Sequence, residues 1–260
     1  MLKPNQVAQN YLSVGKAKVA QDPFRTFLLA IMAGMFIAFA GVGATFANVY
    51  SSKLAGACIF PGGLAMVILA GSELFTGNCL LIMPLLKKEI TFKGMLKNLG
   101  IVYLGNFVGA FLISAICVYG GVFDGIKDTV IATATTKASF EFFPAILKGV
   151  ACNILVCIAV WMAFTAETTS GKILAVFFPI AIFIVAGFEH SVANMFYLPT
   201  GLLTASKFGI TAENLTVVNC LVNNLLPVTI GNIIGGMFVG VMYTTIYLPK
   251  QKATSESENK

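Results

Sequence analysis

Apolar runs of roughly twenty residues recur along this chain, separated by short polar clusters rich in lysine. The runs extend from about Phe24 to Tyr50, Phe60 to Leu86, Leu99 to Gly121, Phe142 to Ala166, Ile173 to Leu198 and Val217 to Leu248. Each is long enough for an α-helix to cross a hydrocarbon core of about 30 Å. The pattern predicts an all-α membrane protein with six transmembrane helices. Residues 1–24 carry Val7, Tyr11, Leu12 and Val14 among polar neighbours and read as an amphipathic segment lying on the membrane face. Residues 25–249 form the six-span domain. Asp124 to Glu141 reads as a mixed polar loop, and residues 250–260 as a polar, disordered tail.

Two runs are interrupted in the same way. Gly71-Ser72-Glu73-Leu74-Phe75-Thr76-Gly77-Asn78 and Gly187-Phe188-Glu189-His190-Ser191-Val192-Ala193-Asn194 share the pattern G-x-E-x-x-x-[GA]-N, 116 residues apart. Span three, with Asn98 and Gly105-Asn106, matches span six, with Asn224 and Gly231-Asn232, at an offset of 126. Halves of three spans each must be inserted in opposite senses. The prediction is therefore an inverted 3 + 3 repeat, with halves of about 25–121 and 142–249 and one broken helix in each. Polar interruptions at matching places in inverted halves point to a transport site near the bilayer midplane.

Composition supports the membrane assignment: 57% of residues are hydrophobic and 11% charged, against about 25% charged in soluble domains. The net charge of +6 does not indicate nucleic acid, because the basic residues sit at the ends of the apolar runs. Twelve lysines and arginines fall on the side that holds both termini and four on the other. The positive-inside rule then places both termini in the cytoplasm. The first 25 residues lack the compact apolar core of a cleavable signal peptide. The six cysteines are scattered without a C-x-x-C pair and read as small buried hydrophobes.

Few residues offer chemistry. Glu73 and Glu189 fit broken helices, where a carboxylate can accept the amide hydrogens that the break frees. Bracing is the favoured reading over ion binding. Asn78, Asn194, Asn106 and Asn232 are placed to tie the breaks to spans three and six. His190 is the one histidine in the chain, and its repeat mate is Leu74, so the scaffold's symmetry does not demand it. An unperturbed imidazole, with a pKa near 6.5, exchanges a proton at ordinary pH or holds one to offset an anion. Lys148 falls inside span four, opposite Leu29, and is either functional or a snorkelling residue near the start of its span. No acidic cluster suits a metal-cation route, and no nucleophile–base constellation or phosphate loop suits an enzyme. No cofactor is expected.

These motifs, in this order and spacing, resemble the formate–nitrite transporter family, which includes formate, nitrite and hydrosulfide channels. The general likeness leans to its hydrosulfide and formate branches. The resemblance implies an aquaporin-like protomer, although neither break has the Asn-Pro-Ala of aquaporins. It also implies a homopentamer in the bacterial inner membrane with one pore per protomer, a channel for small monovalent weak-acid anions driven by their own gradient or coupled to protons. By the same resemblance His190 is the central pore histidine, with Thr76 and Asn232 as its hydrogen-bonding partners. Phe60 and Phe183 fall at the family's periplasmic constriction, and Leu64, Leu74 and Phe75 at its central and cytoplasmic ones. Lys148 matches the lysine that makes a vestibule attractive to anions. Two rival readings are a proton-coupled secondary transporter of the same anions and a pore for neutral solutes such as water or ammonia.

Overall fold

A computed structural model describes residues 1–248; the expected tail lies outside the described residues. Thirteen α-helices follow in order, among the described residues. α1 spans Pro4–Ala20, α2 Pro23–Tyr50, α3 Lys53–Ile59, α4 Pro61–Leu69, α5 Phe75–Asn78, α6 Ile82–Leu86 and α7 Phe92–Tyr119. α8 spans Lys127–Ala138, α9 Phe142–Thr165, α10 Thr169–Ala186, α11 Ser191–Phe208, α12 Val217–Asn219 and α13 Leu226–Tyr247. The long apolar helices start at polar caps: Asp22 accepts from the Arg25 amide, Thr91 from Gly94 and Thr168 from Gly171. Among the described residues, five helices are long and apolar enough to cross a membrane. The second span is instead assembled from Lys53–Leu69 and Phe75–Leu86, on either side of the first break.

Two helix pairs form the frame, α2 against α7 and α9 against α13. Their axes approach closely because glycine faces backbone. A β-carbon on Gly109 would lie 2.0 Å from the Ile31 carbonyl oxygen, and one on its mate Gly235 would lie 2.2 Å from that of Val150. Small residues of this kind let apolar helices pack where no hydrophobic effect drives them together. The halves meet at their own equivalents: the Tyr103 hydroxyl lies 3.0 Å from Thr229 Oγ1, its mate at the offset of 126.

Two segments differ from expectation. Asp124 to Glu141 is not a loop: a 3₁₀ turn at Asp124–Ile126 leads into α8. α8 stands 119 residues after α1 and occupies the equivalent place in the second half, so the repeat begins at the N-terminal helix rather than at residue 25. The apolar face of α1 is covered by its own chain rather than by lipid. Val7, Ala8, Tyr11 and Leu12 are buried in a cluster with Leu80, Met83, Trp161 and Val239, and Val14 is half-buried. The Leu2 amide also donates to the Thr165 carbonyl. The face bearing α1 thus also carries the turns at residues 87–91 and 165–168.

If glycine holds the frame together, Gly109→Leu and Gly235→Leu should force the paired helices apart, at a cost of about 1–3 kcal/mol or more. Lower thermal stability and loss of a monodisperse peak in detergent would show it. Gly62→Ala, where nothing lies within 4 Å of the new β-carbon, should change neither.

Candidate functional site

Both breaks begin at a glycine in the left-handed region, Gly71 at φ +69° and Gly187 at φ +73°, a conformation costly for residues with a β-carbon. The following residues leave the helical hydrogen-bond ladder, and their amides need partners because lipid supplies none. In the first break the Glu73 amide donates to the Leu29 carbonyl at 3.3 Å. The Phe75 amide donates to Asn106 Oδ1 at 2.9 Å, and Asn106 Nδ2 donates to the carbonyls of Glu73 and Ala30. In the second, the Glu189 amide donates to the Lys148 carbonyl at 3.3 Å. The Ser191 amide donates to Asn232 Oδ1 at 2.8 Å, and Asn232 Nδ2 donates to the carbonyls of Glu189 and Gly149. The second set repeats the first bond for bond.

The glutamates are held by side chains, not by the freed amides that the sequence suggested. Asn78 Nδ2 donates to Glu73 Oε2 and to Asn98 Oδ1, while Lys18 Nζ donates to Glu73 Oε1 at 2.7 Å. Asn194 Nδ2 donates to Glu189 Oε2 and to Asn224 Oδ1, while Lys137 Nζ reaches both Glu189 oxygens at 2.8–2.9 Å. Asn98 Nδ2 closes the first network on the Lys18 carbonyl, and Asn224 Nδ2 closes the second on that of Lys137. A π-helical stretch at Cys220–Leu225 presents Asn223 and Asn224 to the last carbonyls of α8. Lys18 and Lys137 are 119 residues apart, the offset that relates the first spans of the halves. That shared offset is the signal for them in the sequence.

Between the breaks lies a divided path. A cavity of about 420 Å³ opens at the face bearing α1, lined by Leu2, Tyr11, Lys18, Leu64, Leu74 and Lys172 among others. A second, of about 10 Å³, is barely the space of one water molecule and is walled by Ile37, Phe60, Leu64, Leu74, Val156, Ile180, Phe183 and His190. Leu64 and Leu74 belong to both and partition them. Phe60 and Phe183 meet edge-on at 5.8 Å on the small chamber's wall, and Phe183 stacks on His190 at 6.0 Å.

His190 is the single ionisable group of that chamber. It caps α11: Nδ1 accepts from the Ala193 amide at 3.1 Å, and Nε2 lies 2.9 Å from Thr76 Oγ1. An amide donor at Nδ1 assigns the neutral ring's proton to Nε2. His190 then donates to Thr76, whose own hydroxyl hydrogen stays available to a third group.

The formate/nitrite transporter model matches residues 5–245. The chain belongs to the formate/nitrite transporter family. It is 37% identical to the formate channel FocA of Haemophilus influenzae, over 84% of this chain and 85% of that one. Among solved structures, a pentameric formate channel with formate bound superposes with a TM-score of 0.76 at 34% identity, covering 87% of this chain and 98% of that chain. A structure described as an ion channel of the same family superposes at 0.81 with 30% identity, covering 93% and 97%. These similarities identify a multi-pass membrane protein of that family. They do not single out its hydrosulfide branch.

Within this family frame two expected positions, Asn232 and Phe75, differ from where the side chains lie. Asn232 does not bond the His190 ring; its amide clamps the backbone on both sides of His190, at Glu189 and Ser191. Phe75 lines neither cavity and packs edge-on against Tyr103, with ring centroids 4.8 Å apart. Lys148 Nζ sits 4.1 Å from the Phe140 ring centroid, and its contribution to the second break is its carbonyl. The lysine whose ammonium reaches the glutamate of the second break is Lys137, whose side chain is 16% exposed against 6% for Glu189.

Removing one member of such a pair strands a charge, whereas neutralising both does not. Lys137→Met should therefore cost about 3–5 kcal/mol of stability. The double variant Lys137→Met, Glu189→Gln should recover most of the loss. Chemical unfolding in detergent measures both, and equal losses in the single and double variants would contradict the pairing.

Proposed function

We propose that this chain is a channel for formate and related small monovalent weak-acid anions, including nitrite and hydrosulfide, and that it works as a homopentamer. The observation that carries the reading is the 10 Å³ chamber, walled by apolar side chains apart from His190. A bare anion loses its hydration there without compensation. A weak acid avoids that cost by crossing with its proton, or by sharing one at the Thr76–His190 pair. Conjugate bases of strong acids have no such recourse. The similarity to a pentameric formate channel with formate bound supports both the substrate and the assembly. Exposed apolar faces on α7, with Leu104 and Ile116, and on α10, with Leu174, Phe178 and Ile182, suit lipid and neighbouring protomers. The lysine-rich face bearing α1 is assigned to the cytoplasm of a bacterial inner membrane by the positive-inside rule.

His190 acts in this reading as a neutral donor rather than as the proton's carrier. A second proton at Nδ1 would displace the Ala193 amide, so the ring is organised to keep one. Phe60, Phe183, Leu64 and Leu74 exclude water on either side. Glu73, Glu189, Asn78 and Asn194 hold the broken helices in register behind them.

Flux into proteoliposomes, compared for formate, nitrite, hydrosulfide and chloride across external pH, tests the reading. Formate flux should rise as pH falls, and chloride should fail to pass. Thr76→Val and His190→Ala should lower formate flux by about tenfold or more, in line with losing a positioned polar group in a dry site. His190→Asn, which can still donate but cannot titrate, should retain most of the flux and the pH trend. Chloride passing as fast as formate would defeat the proposal.

A further inference from the structure

The large cavity and the chamber beyond it are mismatched in size. The first holds about 420 Å³ and the second about 10 Å³, with Leu64 and Leu74 between them. A space of the first size suits a ligand of several carbons, which could not follow a molecule as small as formate through the second. The wall is mostly apolar, with Leu64, Val67, Ile68, Val160 and Phe164 among its residues, and it includes no carboxylate. An anion with an apolar body therefore meets no repulsion there.

The same wall carries a buried donor without a partner. Tyr11 is 1% exposed, and its ring packs edge-on against Phe164 with centroids 5.4 Å apart. Its hydroxyl makes no hydrogen bond to any described residue. Among the described residues, the fully enclosed side-chain atoms without a partner are Ser191 Oγ and Asn194 Oδ1. The Tyr11 hydroxyl is therefore not sealed in, and the space it borders is the cavity. Burial, and after it the nearby Cys157, Glu73 and Cys79, push the phenol well above its ordinary pKa of about 10, so it remains a donor. On the same wall Lys18 and Asn78 are turned to Glu73. The offset of 119 sets Val130 opposite Tyr11, and Val130 borders a pocket of about 10 Å³. The scaffold's symmetry thus demands neither the hydroxyl nor the large space around it.

Water can accept the Tyr11 hydrogen, but it gains nothing from the apolar wall. A carboxylate or sulfonate with an apolar body gains from both. We propose that the cavity is a regulatory site for such monovalent oxyanions, which bond to Tyr11 and plug the path ahead of the Leu64–Leu74 partition. The block rests on the channel reading above; the binding does not. A bound anion of this class enters from the face bearing α1 and cannot pass, so it stops flux in both directions until it leaves the way it came. Flux of the smallest acids then answers to the level of larger ones on that face.

Benzenesulfonate is the probe, because the anion of a strong acid neither crosses lipid nor enters the dry chamber. In detergent it should raise the melting temperature of the wild type in a concentration-dependent way. Cyclohexylammonium, with a similar body and the opposite charge, should not. Tyr11→Phe, which keeps the ring against Phe164, should need about tenfold more benzenesulfonate for the same rise. In vesicles with the face bearing α1 outward, external benzenesulfonate should block isotopic formate exchange, and in vesicles of the other orientation it should not. Measured against each protein's own uninhibited exchange, half-block of Tyr11→Phe should also need about tenfold more. No thermal shift in the wild type, an equal shift in Tyr11→Phe, or equal block from both faces overturns the site. A Tyr11-dependent shift in a protein whose vesicles exchange no formate overturns the channel reading and leaves the binding site standing.

Discussion

Two stretches of backbone leave the helical ladder at a depth where no solvent can accept their hydrogens, and the rest of the molecule is arranged around supplying them. Asn106 and Asn232 meet the demand with the same three bonds each. An asparagine can do this only if its helix lies almost against the neighbouring helix, hence the glycines between α2 and α7 and between α9 and α13. The close approach, the clamp and the open loop are one structural unit. Water or a lone carboxylate would be a weaker substitute, because the asparagine amide offers acceptor and donors in a fixed plane.

The buried glutamates extend that unit to the molecule's two faces. Each links its loop to a helix that lies across the bundle end, α1 on one face and α8 on the other, through a lysine whose charge it cancels. The breaks are thus rigid and nearly neutral. A carboxylate left unpaired there would repel the anions the channel is proposed to carry. Where the halves depart from each other, at Leu74 and His190, the rigid scaffold supplies different contents to equivalent positions: a partition on one side, a hydrogen-bond donor on the other.

Much of this was legible in the chain. The spans followed from apolar length, the breaks from the repeated glycine–glutamate–asparagine pattern, and the inversion from three spans per half. α8 was not, because its Thr- and Ala-rich sequence has neither the apolar length of a span nor a strong amphipathic stripe. Its helical state depends on packing against α11 and on the asparagines that satisfy its final carbonyls. Lys18 and Lys137 escaped for the same reason: each lies in a segment read as surface, and only three-dimensional closure buries it. Asn232 was placed at the right residue but on the wrong atoms, since one dimension of sequence cannot distinguish a side chain facing the ring from one facing the peptide on either side. Phe75 shows the same limit, its neighbour Leu74 lining both cavities while it turns to Tyr103.

The contact between Tyr103 and Thr229 has a historical consequence. On a pseudo-twofold axis a residue meets its own counterpart. In an ancestor built of two identical subunits inserted in opposite directions, every mutation at that point would have altered both partners at once, and tyrosine would have faced tyrosine or threonine threonine. A bond between unlike residues at the axis requires that the two copies be encoded separately, as the two halves of this chain are. The same freedom is what allows one copy of the broken helix to acquire a histidine while the other keeps a leucine.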